Sequence, residues 1–165
     1  LSLLEASWLV MRLSPWHENL TKRVVKSPKL YWFDTSLLCL LLGIRKPEDL
    51  RFHPLRGAVF ENLIVAERYK AASHRGLVPA LAFWRDSNGR EVDLIDGSGD
   101  EKRLWECKSG ATIAHDFFKQ LDGFGAEIGI PPERRILVYG GSETSKRSAG
   151  SAIGWKNVLL GSLDS

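Results

Sequence analysis

Trp84-Arg85-Asp86-Ser87-Asn88-Gly89-Arg90-Glu91-Val92-Asp93-Leu94-Ile95, followed after a short polar turn by Arg103-Leu104-Trp105-Glu106-Cys107-Lys108-Ser109-Gly110, decides how the rest of the chain is read. Ser87-Asn88-Gly89 is turn chemistry, so the stretch reads as a β-hairpin followed by a further strand. Successive side chains on a strand point to opposite faces. Glu91, Asp93 and Ile95 are therefore expected on one face, and Val92 and Leu94 on the other. In the next strand Glu106 and Lys108 share a face, while Trp105 and Cys107 turn the opposite way. Pairing with the polar faces aligned would bring Asp93, Glu106 and Lys108 to one spot beside a sheet.

Two carboxylates and an ammonium suit a magnesium-dependent hydrolase of phosphodiesters. Mg2+ prefers oxygen ligands in octahedral geometry and is usually held by one or two carboxylates, with waters and phosphate oxygens completing the shell. Asp93 and Glu106 are the candidate pair. A bound divalent ion would acidify a water, and Lys108 is placed to orient that water or to neutralise charge developing on the phosphate. The bland alternative is an ion-pair ladder on an exposed sheet face, since opposite charges across strands are common and modestly favourable. The residues alone leave both readings open.

Asp93 followed by Glu106-Cys107-Lys108 resembles the D…(D/E)-x-K signature of the restriction-endonuclease-like, or PD-(D/E)XK, nuclease superfamily, without the proline that precedes the aspartate in its name. A longer succession resembles the DUF4143 domain, which in its family follows an AAA-type ATPase in prokaryotic proteins. It comprises Lys29-Leu30-Tyr31-Trp32-Phe33-Asp34-Thr35-Ser36-Leu37, the run from Gly57-Ala58-Val59-Phe60-Glu61 to Glu67, Phe83-Trp84-Arg85-Asp86, Gly89-Arg90-Glu91-Val92-Asp93 and Trp105-Glu106-Cys107-Lys108. This resemblance implies an α/β protein, a restriction-endonuclease-like α/β/α sandwich with a small N-terminal helical, winged-helix-like portion. It further implies a nuclease-like C-terminal domain of an ATPase, with Mg2+ or Mn2+ as cofactor and nucleic acid, DNA in the first place, as partner. In the superfamily's Holliday-junction resolvases a glutamate in a G-x-x-x-E helix completes the metal site, which makes Glu61 a third acidic candidate. Gln120 joins the site because some superfamily nucleases position substrate with a glutamine in the helix after the motif.

The composition is that of an ordinary soluble domain. The chain has 165 residues and a formal charge of +3, so charge neither demands nor excludes a nucleic-acid partner. Trp84 and Trp105 lie in strand patterns, where core packing is expected before base stacking. Cys39 and Cys107 sit in apolar runs without metal-ligand spacing and read as buried thiols of a reducing, cytoplasmic compartment. The greasy run Leu37 to Leu42 is far shorter than the roughly 20 residues of a membrane span, and no signal peptide is visible. There is no G-x-x-x-x-G-K-[ST] loop, so no ATP site is expected here. The chain opens at Leu1 without an initiator methionine, which suggests a fragment and an ATPase portion elsewhere.

Along the chain, Trp8 to Ser14 alternates like a strand and turns at Pro15, and Leu30 to Phe33 reads as another. Lys22, Arg23, Lys26 and Lys29 form a basic stretch, which the DUF4143 resemblance implies is the end of a winged-helix-like element and which by itself reads as a solvated basic hairpin contacting a neighbouring domain. Asp34 looks like the cap of a helix over the leucine run, ending near Gly43. Arg45 to Leu55 is a polar, proline-bearing connection and the expected boundary between residues 1–50 and a nuclease-like core over 51–165. Gly57 to about Ala72 is an amphipathic helix, with Glu67 expected to pair with Arg85 or Arg90. Ile113 to Phe124 is a second helix, and Ile136 to Gly140 a strand covered on both faces. Residues 141–151 read as small, polar and mobile, and Ile153 to Leu160 as a short strand or helix.

Two function classes follow. One is metal-dependent hydrolysis of DNA phosphodiesters, with Glu61, Asp93 and Glu106 as metal ligands and Lys108 and Gln120 beside them. The other is a non-catalytic nucleic-acid-binding, regulatory or protein-interaction module of the ATPase. A homo-oligomer would make two cuts geometrically natural.

Overall fold

A computed structural model describes residues 1–16 and 27–159. The expected basic residues Lys22, Arg23 and Lys26 lie outside the described residues, as does Leu160. The protein is α/β, built on an eight-stranded mixed sheet. In chain order the elements are α1 (Ser2–Ala6), β1 (Val10–Pro15), β2 (Lys29–Trp32), α2 (Thr35–Leu41), α3 (Pro47–Phe52), α4 (Arg56–His74), β3 (Leu81–Arg85), β4 (Glu91–Asp96), β5 (Arg103–Lys108), α5 (Lys119–Glu127), β6 (Arg135–Tyr139), β7 (Thr144–Arg147), β8 (Gly150–Gly154) and α6 (Trp155–Leu159). The strand order is β2-β1-β3-β4-β5-β6-β8-β7. β1 joins β3, β5 joins β6 and β6 joins β8 in parallel, and the other neighbours are antiparallel.

The expected run of helix, three strands, helix, strand is present from α4 to β6. Two buried clusters sandwich the sheet. On one face Ile64, Val65 and Ala66 of α4 and Val158 of α6 pack on Phe83, Leu94, Trp105, Cys107 and Val138. On the other, Leu121 and Phe124 of α5 pack on Trp84, Val92, Ile95, Leu104 and Leu137. Trp84 and Trp105 are core residues, 1% and 0% exposed. Trp84 stacks on Phe124 with ring centroids 4.0 Å apart, which ties the hairpin to α5. Asp34 caps α2 as expected, Oδ1 accepting from the Ser36 N–H at 2.7 Å and the Leu37 N–H at 3.2 Å. β6 is buried along its whole length, as befits a strand covered on both faces.

The hairpin departs from plain alternation. Val92 and Ile95 belong to the α5 side while Leu94 belongs to the α4 side, so Val92 and Leu94 do not share a face. The β3–β4 register explains this: Ala82 pairs with Ile95 and Trp84 with Val92, so Asp93 and Leu94 together stand opposite the single residue Phe83. This is a β-bulge, one extra residue that bends the strand and re-aims a side chain.

Other expectations are corrected locally. The stretch from Arg45 to Leu55 contains α3, started by Pro47 and by Asp49 Oδ2, which accepts from the N–H groups of Arg45 and Lys46 at 3.1 and 3.0 Å. The second helix begins at Lys119 rather than Ile113, because Phe117 and Lys119 bond three residues back in tight turns. Residues 141–151 hold β7 and the start of β8. β7 is an edge strand, exposed at every residue, so its sequence carries no apolar alternation. Glu67 pairs with Lys70 at 2.8 Å, one helical turn away. Cys107 is buried but Cys39 is only partly so.

Candidate metal centre

β4 and β5 pair from Asp96↔Arg103 through Leu94↔Trp105. Beyond that point β5 runs on against β6, with Glu106 opposite Leu137 and Lys108 opposite Tyr139. At this fork the Asp93 carboxylate takes over the ladder, Oδ2 accepting from the Cys107 backbone N–H at 2.8 Å. The bulge therefore places Asp93 where the two strands part. Glu106 alternates with the α4-side residues Trp105 and Cys107, so it and Lys108 belong to the α5 side of the sheet.

Glu106 is 5% exposed, and its Oε1 accepts from Lys108 Nζ at 2.6 Å. Its Oε2 is buried with no hydrogen-bond partner. An orphaned carboxylate oxygen is costly to bury, and a cation is the group that would satisfy it. The Asp93 carboxyl is pushed well above the usual carboxylate range, first by burial and then by the charges of Glu106 and Glu61. Glu106 is also pushed up by burial, against the pull of Lys108, with Glu61 and Glu91 adding repulsion. Lys108 stays firmly protonated because Glu106 outweighs its burial. Two buried acids that repel one another, one with a free oxygen, make a donor set suited to a hard divalent cation.

Glu61, in the second turn of α4, is engaged by β2. Its Oε1 accepts from Tyr31 Oη at 2.5 Å and from Lys29 Nζ at 2.8 Å. Lys29 also pairs with Glu91, which in turn faces Arg85 at 3.6 Å. Glu61 thus acts on Asp93 and Glu106 through its charge, while its contacts go to β2. Among the described residues no three His, Cys, Asp or Glu side chains are gathered as a ready ligand set. Gln120 is the second residue of α5, partly buried, on the helix that covers the face carrying Glu106 and Lys108.

Lys29, Tyr31 and Glu91 are members of this cluster that the sequence reading left out of the site. A signal existed: Lys29 and Tyr31 are alternate residues of one strand, so they share a face, and both fall in the quoted Lys29 to Leu37 run. Reach was the missing information, since β2 meets α4 across 30 residues of chain. The end of β5 is held independently, by Arg56 at the start of α4 donating to the Ser109 carbonyl at 2.5 Å.

Residues 56–158 match the family described as "Domain of unknown function (DUF4143)". Residues 1–48 match a second family, "Domain of unknown function (DUF8612)". Over 87 residues, 52% of this chain, the sequence is 39% identical to the uncharacterized protein Rv2008c of Mycobacterium tuberculosis and, equally, to the uncharacterized protein Mb2031c of Mycobacterium bovis. The match covers 19% of each of those curated relatives, so the chain spans about a fifth of their length. No solved structure matches. Among the described residues no helix is long and apolar enough to cross a membrane.

Proposed function

The chain belongs to the DUF4143 family, and we propose that it serves there as a PD-(D/E)XK-type nuclease module, a metal-dependent hydrolase of DNA phosphodiesters attached to an ATPase that lies outside these residues. The observation that carries this reading is the pairing at the fork: Asp93 and Glu106, both pushed toward the protonated form by burial, with Glu106 Oε2 left without a partner. Helices on both faces of a mixed sheet, in the order helix, three strands, helix, strand, agree with the restriction-endonuclease-like sandwich. Fold analogy alone would not carry a function; the site has to.

Asp93 and Glu106 would hold Mg2+ or Mn2+, with Glu61 the third acidic candidate on the α4 side. Such an ion supplies a water of lowered pKa and charge neutralisation at the phosphate. Lys108, anchored on Glu106 Oε1, orients the attacking water and offsets negative charge on the phosphoryl oxygens. The Cys107 N–H fixes the Asp93 carboxylate, so its rotamer is set before substrate arrives. Gln120 belongs to the helix on the Lys108 side and is the candidate for positioning substrate.

A second reading is favoured by one observation, the engagement of Glu61 by Tyr31 and Lys29. It treats the carboxylates as structural ion pairs of a non-catalytic nucleic-acid-binding or regulatory module. Cleavage of labelled single-stranded, duplex and branched DNA with Mg2+ or Mn2+ separates the two. Metal-dependent cutting that Lys108→Ala and Asp93→Ala both abolish supports the nuclease reading. Absence of cutting together with absence of divalent-metal binding by calorimetry sinks it.

A further inference from the structure

The acidic cluster holds a resident cation that the proposed chemistry does not use. Lys29 Nζ donates to Glu61 Oε1 at 2.8 Å and pairs with Glu91, while its ammonium sits 5.3 Å from the centre of the Phe83 ring. Its side chain is 24% exposed, so the pair is largely shielded from water and salt. Tyr31, two residues along the same face of β2, donates to the same Glu61 oxygen at 2.5 Å. Two donors on one carboxylate oxygen leave it little capacity for a third electrophile. Lys29 thus engages two carboxylates, Glu61 and Glu91, while Lys108 engages Glu106.

We infer that Lys29 is an internal counter-ion that competes with a divalent metal for Glu61, so that metal entry requires Lys29 to yield the Glu61 oxygen. The inference rests on the metal-centre reading above. Its physical basis is repulsion: an ammonium and a divalent cation cannot share one carboxylate oxygen at hydrogen-bonding distance without a large Coulomb cost in a partly shielded site. Both hydrogen bonds that Glu61 Oε1 accepts come from β2, so its carboxylate is drawn toward that strand. Lys29 is then a positioning residue, setting the metal concentration at which the centre fills.

The test is calorimetric titration of Mn2+ into the whole chain, comparing wild type, Lys29→Met, Lys29→Arg and Tyr31→Phe, with Asp93→Asn as the control for the centre itself. Lys29→Met keeps the apolar stem and removes the charge, and it is expected to bind Mn2+ on the order of tenfold more tightly, because one positive neighbour of the ion is gone. Its metal-free melting temperature falls and its rise on adding Mn2+ grows. Lys29→Arg stays near wild type. Should Lys29→Met fail to fold, Tyr31→Phe removes the other donor without changing charge and is expected to tighten binding by about threefold. Metal binding by wild type with no tightening in either variant overturns the counter-ion role and leaves the metal centre standing. No Mn2+ binding by any form overturns both.

Discussion

The Asp93 carboxylate stands 2.8 Å from the Cys107 backbone nitrogen, in the place where β4 and β5 stop pairing. One side chain therefore does two jobs, satisfying a strand's orphaned donor and facing Glu106 with its charge.

Those jobs separate by substitution. Asp93→Asn keeps an oxygen that accepts from the Cys107 N–H but removes the charge, so its metal-free stability equals or exceeds that of wild type. Asp93→Ala also strips the acceptor, and the unsatisfied N–H costs about 1–3 kcal/mol relative to Asp93→Asn. Both lose Mn2+ binding by calorimetry. Chemical denaturation in the presence of EDTA reads the stability difference; equal stabilities would show that the hydrogen bond contributes nothing.

Acidity around the fork gives the metal-free protein a pH dependence of definite sign. Asp93 and Glu106 are held above the usual carboxylate range, so the folded chain binds protons there more tightly than the unfolded one. Their stabilisation is complete below about pH 4, where unfolded carboxyls are protonated too, and is lost as pH rises through the raised folded values. Asp34, lowered by the Leu37 and Ser36 N–H groups, and Asp86, where Arg90 outweighs burial, act in the opposite sense. The difference in melting temperature between wild type and Asp93→Asn isolates the fork: it moves in favour of Asp93→Asn as pH increases, and a pH-independent difference contradicts the assignment.

Lys108→Ala tests chemistry apart from metal binding. Lys108 leans on Glu106 Oε1 at 2.6 Å, and its removal leaves both Glu106 oxygens open. Mn2+ affinity is expected to hold or rise, while cleavage falls by about 100-fold or more. Parallel loss of affinity and rate would make Lys108 a structural partner of Glu106 rather than a participant.

Gly125 illustrates a constraint remote from the fork. A Cβ at this position would overlap the Arg135 guanidinium, whose Nε and Nη2 donate to the Ile130 carbonyl at 2.9 and 2.6 Å. Gly125→Ala is expected to cost about 1–3 kcal/mol by overpacking. Urea denaturation measures it, and an unchanged midpoint would mean that α5 shifts freely on β6.

What the sequence discloses here depends on range. The Asp34 cap, the α4 helix and the covered strand β6 are written within a few residues of themselves, and the structure has them, although α4 buries Asn62 and Arg68 and leaves Phe60, Leu63 and Ala71 only partly covered. The two-residue alternation that set Asp93 and Glu106 on adjacent strands is similarly local. It failed at Leu94, because a bulge is a register relation between two strands and no residue type of β4 announces it. Lys29 and Tyr31 were visible as neighbours on one strand, yet their meeting with Glu61 depends on where β2 docks. β7 was missed since an exposed edge strand of Thr, Ser, Lys and Arg has no buried face to imprint a pattern.

Lys29 and Tyr31 lie in the stretch that matches one family, and Glu61, Asp93 and Glu106 in the stretch that matches another. A gene fragment trimmed to residues 56–158 would express Glu61 stripped of both donors, and it would bare the edge of β3 where Ser14 and Pro15 pair with Ala82 and Phe83. Insolubility of such a fragment would report on the cut, because the boundary between the two family matches separates Lys29 and Tyr31 from the Glu61 carboxylate they engage.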